Sequence, residues 1–388
     1  KARQQGKKRL SKNLNHLFNG LKNYKQKNQT LNVLNKNFDF NFDFKQLKKF
    51  KRFKSIALIG MGGSILGAEA IYSFLFKKIN KKVYFFDNLD PKQIEKFKKK
   101  NLNKILFIVI SKSGNTVETL SNFFSLQIIK KKPKNIIIIT EKNNNLLYSI
   151  SKKFNIFYIQ HKTFIGGRYS VLSEVGIVPA YLMGLNIAKL RSQTENFFNG
   201  KKKIILKNNV LELAHLLNSK KIRSLIFLNY SPELEKLLFW CQQLIAESLG
   251  KKGLGFLPVI SNVPKDHHSL LQLYLDGPQD KIFYIFNLAD KSNAKIKINK
   301  SVISKHFLNN KSLSKVKEAQ KNALIKTLRE KNISYREFKI SKINEENLGE
   351  LFAYFMLETV LIGELLKINP FDQPAVEQVK VYTKNLLN

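Results

Sequence analysis

The chain is predicted to be an α/β protein: two doubly wound parallel-sheet domains, each a three-layer αβα sandwich, followed by a C-terminal helical segment. Three observations predict this. The strand-like runs, such as Ile105–Ile110 (ILFIVI), are apolar throughout and lack the polar alternation of a half-exposed sheet. Helical stretches separate them, as in units that build parallel sheets. The 388 residues also suit two domains, at roughly 100–200 residues each.

Residues 1–45 are polar and rich in Lys and Asn, with Leu10, Leu14, Leu17 and Leu21 at helical spacing. They are expected to form an amphipathic helix and a loop, an N-terminal extension with no part in chemistry. The first domain is assigned to 46–195. Its strands are expected at 56–59, 83–86, 105–110, 136–139 and 157–159, each a short apolar run. The second domain, 196–345, repeats the pattern with strand-like 224–228, a helix over 233–250, strand-like 281–286 and a helix over 314–331. The C-terminal helices, 346–388, comprise a long apolar-periodic helix beginning at Glu345 and a terminal one over 376–387. Asn369-Pro370 must break the chain between them.

Composition narrows the function. The 68 basic against 28 acidic residues give a formal charge of +40, which invites a nucleic-acid reading. Only 8 of the basic residues are Arg, the residue that forks phosphates and reads bases. The lysines are spread along the chain with much Asn, Ile and Phe, all encoded by AT-rich codons. Nucleic acid is therefore not expected as a partner, although a positive surface attracts anionic substrates. Cys241 is the single cysteine, so no intrachain disulfide can form and a reducing, cytoplasmic compartment is expected. No apolar run approaches a membrane span, and the basic N-terminus has no apolar stretch behind it, unlike a secretory signal.

Two loops stand where an anion would bind. Gly60-Met61-Gly62-Gly63-Ser64 follows a buried strand and opens a helical stretch, so its backbone N–H groups and the helix dipole face one point. A dinucleotide site competes here, because Gly60-x-Gly62 begins that fingerprint and Asp87 ends the next strand; Ile65 at the third glycine position speaks against it. A tight turn with no ligand is the plain alternative. Ser111-Lys112-Ser113-Gly114-Asn115-Thr116 follows the third strand and brings three hydroxyls and an ammonium to a helix start. That set suits a phosphomonoester. A helix cap alone would need one such residue.

Paired phosphate-type loops on neighbouring strands resemble the sugar isomerase (SIS) domain. Four further motifs narrow the resemblance to the glucose-6-phosphate isomerase (phosphoglucose isomerase) family. Gly62-Gly63-Ser64 is similar to its Gly-Gly-Ser loop, and Gly166-Gly167-Arg168-Tyr169-Ser170 to its Gly-Gly-Arg-[Phe/Tyr]-Ser signature. Glu247-Ser248-Leu249-Gly250-Lys251 is similar to its Glu-Ser-x-Gly-Lys segment, and Asn369-Pro370-Phe371-Asp372-Gln373 opens its C-terminal signature. The resemblance runs from about residue 55 to the C-terminus.

The resemblance implies reversible isomerisation of glucose 6-phosphate and fructose 6-phosphate through a cis-enediolate, without cofactor or metal. Gly63, Ser64, Ser111, Lys112, Ser113 and Thr116 would hold the phosphate and Gln373 would line the site. Glu247 would be the base and Arg168 the cation beside the enediolate. His268, with Gln272 and Gly277 at the family's spacing, would open the ring with Lys380, which lies seven residues after Gln373. His267 stands where the family commonly has Gln. The family's histidine reaches a neighbouring subunit, so a homodimer is implied. Another SIS-type phosphosugar isomerase, or a sugar-phosphate sensor without chemistry, would share the cradle.

Overall fold

The structure is a computed structural model that describes all residues except 1, 22–28, 130–131, 290–293, 300, 302, 304–305 and 388. The side chains of 2–10 also fall outside the described set, Leu10 among them.

All five strands expected in the first half form: β1 (Ser55–Ile59), β2 (Lys82–Phe86), β3 (Ile105–Ile110), β4 (Ile136–Thr140) and β5 (Phe157–Gln160). They make one parallel sheet in the order β2-β1-β3-β4-β5, with Ile56 beside both Val83 and Leu106. Every residue of β3 and β4 is buried, which is why neither run alternates. The strand order reverses between β1 and β3. Open parallel sheets bind ligands outside the carboxyl ends of the strands at such a switch point. Both suspected loops leave the sheet there.

The second sheet contains β6 (Ser224–Asn229), β7 (Leu257–Asn262), β8 (Lys281–Leu288) and β9 (Tyr335–Ile340), all parallel, in the order β7-β6-β8-β9. Two of these strands, β7 and β9, are absent from the sequence reading. Both are edge strands. One carries Pro258 and the other Arg336, Glu337 and Lys339, residues an edge tolerates and a central strand excludes.

The two sheets share a core. The Glu235–Leu249 helix buries Leu237, Leu238, Trp240, Cys241, Leu244 and Ile245, while the 21-residue Glu345–Leu365 helix is buried on nearly all sides. Trp240 meets Phe352 edge-on with ring centroids 4.9 Å apart. One apolar cluster runs from Leu14 to Leu365, and it includes Leu31, Val33, Leu34 and Phe38 from the N-terminal extension. Arg191 secures that extension by donating to the carbonyls of Val33 and Asn35. The final Glu377–Leu387 helix, by contrast, buries none of its residues. No helix among the described residues is long and apolar enough to cross a membrane.

Candidate active site

Arg168 organises the site. It lies in a 3₁₀ turn, Gly167–Leu172, and is 3% exposed. Its guanidinium is saturated by five contacts that fit its planar fork. Nε donates to Ser248 Oγ at 2.8 Å, and Nη1 to Glu247 Oε2 at 3.1 Å and to Gln373 Oε1 at 2.8 Å. Nη2 donates to the carbonyls of Pro370 at 2.7 Å and Asp372 at 3.0 Å. Segments remote from one another in sequence thus meet on one side chain. Lysine, a point charge, could not bridge them.

Glu247 sits in the last turn of the Glu235–Leu249 helix, on the stripe the core leaves half-buried. Its carboxylate is 33% exposed, so it faces a cleft rather than the interior. Gln243, one turn earlier, donates to its other oxygen, Oε1, at 2.9 Å. A carboxylate held by an arginine on one oxygen and an amide on the other has a fixed orientation. Gln243 Oε1 is itself buried without a hydrogen-bond partner.

Ser248 and Tyr169 extend this framework. Burial pushes the Tyr169 hydroxyl up to about 12, so it stays protonated and donates to the Pro370 carbonyl at 3.0 Å. Having one proton, it accepts from Ser248 Oγ at 2.9 Å, which in turn accepts from Arg168. Lys251 ties the same C-terminal loop by donating to the Asn369 carbonyl at 2.5 Å and pairing with Asp372 at 2.8 Å. The hydrogen bond from Lys251 holds the Asp372 carboxyl below the usual carboxylate range.

The first glycine loop abuts this cluster. A Cβ at Gly63 would lie 2.2 Å from the Gly167 carbonyl carbon, a distance no side chain tolerates. Gly62 has φ +54 and sits against Gln243, where a Cβ would come within 2.8 Å of Nε2. Ser170 Oγ donates to the Gly63 carbonyl at 3.3 Å. Ser64 is the last residue of the Gly62–Ser64 turn, just before the Leu66–Leu75 helix.

The second loop follows β3 and enters the Val117–Ser125 helix through Thr116. Thr116 stands at the cap position, but its side chain makes no cap hydrogen bond. Its hydroxyl instead lies 2.8 Å from Ser111 Oγ. Ser111 Oγ accepts from the Gly114 N–H and Ser113 Oγ from the Asn115 N–H, which curls the loop into a tight ring. Lys112 Nζ donates to the Thr163 carbonyl at 2.7 Å and lies 3.7 Å from Glu141. Burial lowers its pKa, partly offset by Glu141.

Within the chain neither His268 nor Lys380 hydrogen-bonds to the Arg168 cluster. His268 is exposed at the end of the Lys265–His268 turn. Its neighbour His267 is half-buried, with Nε2 3.1 Å from the Tyr230 hydroxyl. Lys380 donates to Glu377 at 2.6 Å on the exposed terminal helix. Among the described residues, no group of three or more His, Cys, Asp or Glu side chains is placed to hold a metal ion.

Sequence reading did not assign roles to Gln243, Tyr169, Ser248 or Lys251. Gln243 could have been found from its position four residues before Glu247 on the same helix face. The other three lie inside the quoted motifs, but their partners are remote in sequence.

The fold is the parallel-sheet α/β fold of SIS-type phosphosugar isomerases. Over 99% of this chain and 96% of the other, the structure superposes on a Thermus thermophilus protein described as hypothetical, with TM-score 0.83 and 24% identity. It also superposes on a glucose-6-phosphate isomerase of Chlamydia trachomatis, with TM-score 0.72 and 19% identity over 88% of this chain and 72% of that one. Residues 21–257 match the family model for phosphoglucose isomerase. A glucose-6-phosphate isomerase of Methanocaldococcus jannaschii is 34% identical over 88% of this chain and 86% of its own. The chain belongs to the phosphoglucose isomerase family.

Proposed function

We propose that the chain interconverts glucose 6-phosphate and fructose 6-phosphate by proton transfer through a cis-enediolate. One observation carries the reading. A single buried guanidinium holds a partly exposed carboxylate at 3.1 Å and an amide at 2.8 Å, beside glycine loops at a sheet switch point. Aldose–ketose isomerisation needs that combination: a base that can see a substrate carbon, and a fixed positive charge where the oxyanion develops.

In the proposed mechanism Ser111, Lys112, Ser113 and Thr116, with Gly63 and Ser64, bind the 6-phosphate. His268 and Lys380 open the ring. Glu247 removes the C2 proton, and the C–H electron pair moves into the C1–C2 bond as negative charge forms on O1. Arg168 steadies that charge, with Gln373 lining the cleft. The O2 hydroxyl proton passes to O1, and Glu247 then returns its proton to C1 as the O2 electron pair forms the ketone at C2. The carboxylate and guanidinium supply both needs, so the proposal includes no cofactor or metal. With domain boundaries proposed near residues 45, 195 and 345, Arg168, Glu247 and Gln373 come from three different units. A cytoplasmic location goes with this reading. The test is a coupled assay with fructose 6-phosphate. Formation of glucose 6-phosphate is expected; binding without turnover would favour a sensor, and turnover of another phosphosugar alone would favour a different SIS-type isomerase.

The working form is proposed to be a homodimer with His268 donated across the interface. His268 is exposed, whereas His267 is tied to Tyr230 within the chain. The terminal helix also leaves Val379, Tyr382 and Leu386 more than half exposed, an apolar stripe suited to a second copy. If each site combines Glu247 of one subunit with His268 of the other, two inactive variants complement. Subunit exchange between His268→Ala and Glu247→Gln proteins should restore about a quarter of wild-type activity, from the one intact site of the mixed dimer. A mixture no more active than its parts would place His268 and Glu247 of each site in the same chain.

A further inference from the structure

A wide, open cavity lies on the other end of the first sheet. It measures about 1200 Å³ and opens where the strands begin: Ser55 at the start of β1, Leu102 to Lys104 before β3, and Lys134 and Asn135 before β4. The phosphate loops follow the ends of β1 and β3. The cavity is thus separated from them by the length of the strands, about 20 Å for six residues.

Its lining is one-signed. Among the described residues, seven cationic side chains line it, six lysines and Arg52, and no carboxylate does. None of the seven forms an ion pair among the described residues. All seven side chains are exposed, and like charges gathered in one concave surface add their fields there, which attracts anions.

We infer that this cavity is a second anion site, which takes a linear phosphate chain without bases, that is, a polyphosphate. Size and charge exclude a phosphosugar, which would neutralise two of seven cations and leave most of the space empty. Lysine predominates, and an ammonium meets phosphate as a point charge with no demand on the geometry around it. Single-stranded nucleic acid needs exposed rings on which bases stack. Among the described residues, the only aromatic in the lining is Phe53, which is buried. The cavity therefore recognises charge density and offers bases nothing.

The test uses the full-length protein and medium-chain polyphosphate, with binding followed by calorimetry. Affinity should fall at least about tenfold between about 50 and 200 mM salt, as counterion release by several cations requires. The variant Lys54→Gln/Lys98→Gln/Lys104→Gln should bind at least about tenfold more weakly, since it removes three of the phosphate-facing charges. A control that removes the same charge from exposed sites in the second half, Lys221→Gln/Lys315→Gln/Lys384→Gln, should change affinity less than about twofold. Circular dichroism would check that both variants fold. Absence of binding at low salt, or equal losses in the two variants, would overturn the site. Equal affinity of the same cavity for poly(U) or polyglutamate would overturn the assignment to a phosphate chain.

Discussion

Glu247→Gln is expected to lower kcat by about 10²–10⁴-fold, the usual contribution of a positioned base, while phosphosugar binding stays nearly unchanged. The substitution is nearly isosteric. A glutamine oxygen can still accept from Arg168 Nη1 or from Gln243, so the loops proposed to bind phosphate should keep their places. What is lost is the site for the proton. Turnover by the coupled assay and affinity by calorimetry with fructose 6-phosphate separate the two effects. A variant that turns over at the wild-type rate would remove Glu247 from the mechanism. One that no longer binds would make its role structural.

Arg168→Lys should be nearly as damaging although it keeps the charge. Five acceptors converge on the guanidinium, and an ammonium has three donors with no fixed plane. With three donors for five acceptors, lysine would leave at least two without their present donor, such as the Asp372 carbonyl, at about 1–3 kcal/mol for each that stays buried. The C-terminal loop that carries Gln373 would loosen. Loss of aligned positive charge at the enediolate should lower kcat by about 10²–10³-fold. Urea denaturation should show a lower midpoint at unchanged slope. A lysine variant with wild-type stability and kcat would mean that charge alone suffices at this position, and that the fork geometry does nothing for catalysis.

The parts of the fold that sequence made legible share a physical cause. Central strands such as β3 and β4 are buried on both faces, so the chain must write them in unbroken Ile, Val, Leu and Phe. The edge strands β7 and β9 have one free side, and their sequences, LPVISN and YREFKI, carry proline or charge and look like loops. In the N-terminal extension the expected helix forms, over Ala2–Gly20, but the stretch after it was illegible for a different reason. Leu31, Val33, Leu34 and Phe38 are buried in a 3₁₀ turn and an irregular stretch, which have no long period to read.

For the site, sequence by itself determined the residue types: a hydroxyl-rich loop at a helix start, an arginine after two glycines in a lysine-biased chain, and a glutamate closing an apolar helix. Each is a local feature, fixed by neighbours a few positions away. Tertiary structure alone decided which of them share a cleft. It brought Arg168, Glu247 and Gln373 onto one guanidinium, and added Gln243, Ser248, Tyr169 and Lys251 as the framework that aims them. It also left His268 and Lys380 outside that cluster in the single chain. Hydrogen bonds between segments separated by 79 to 205 residues depend on how two sheets dock, and no local spacing encodes that distance.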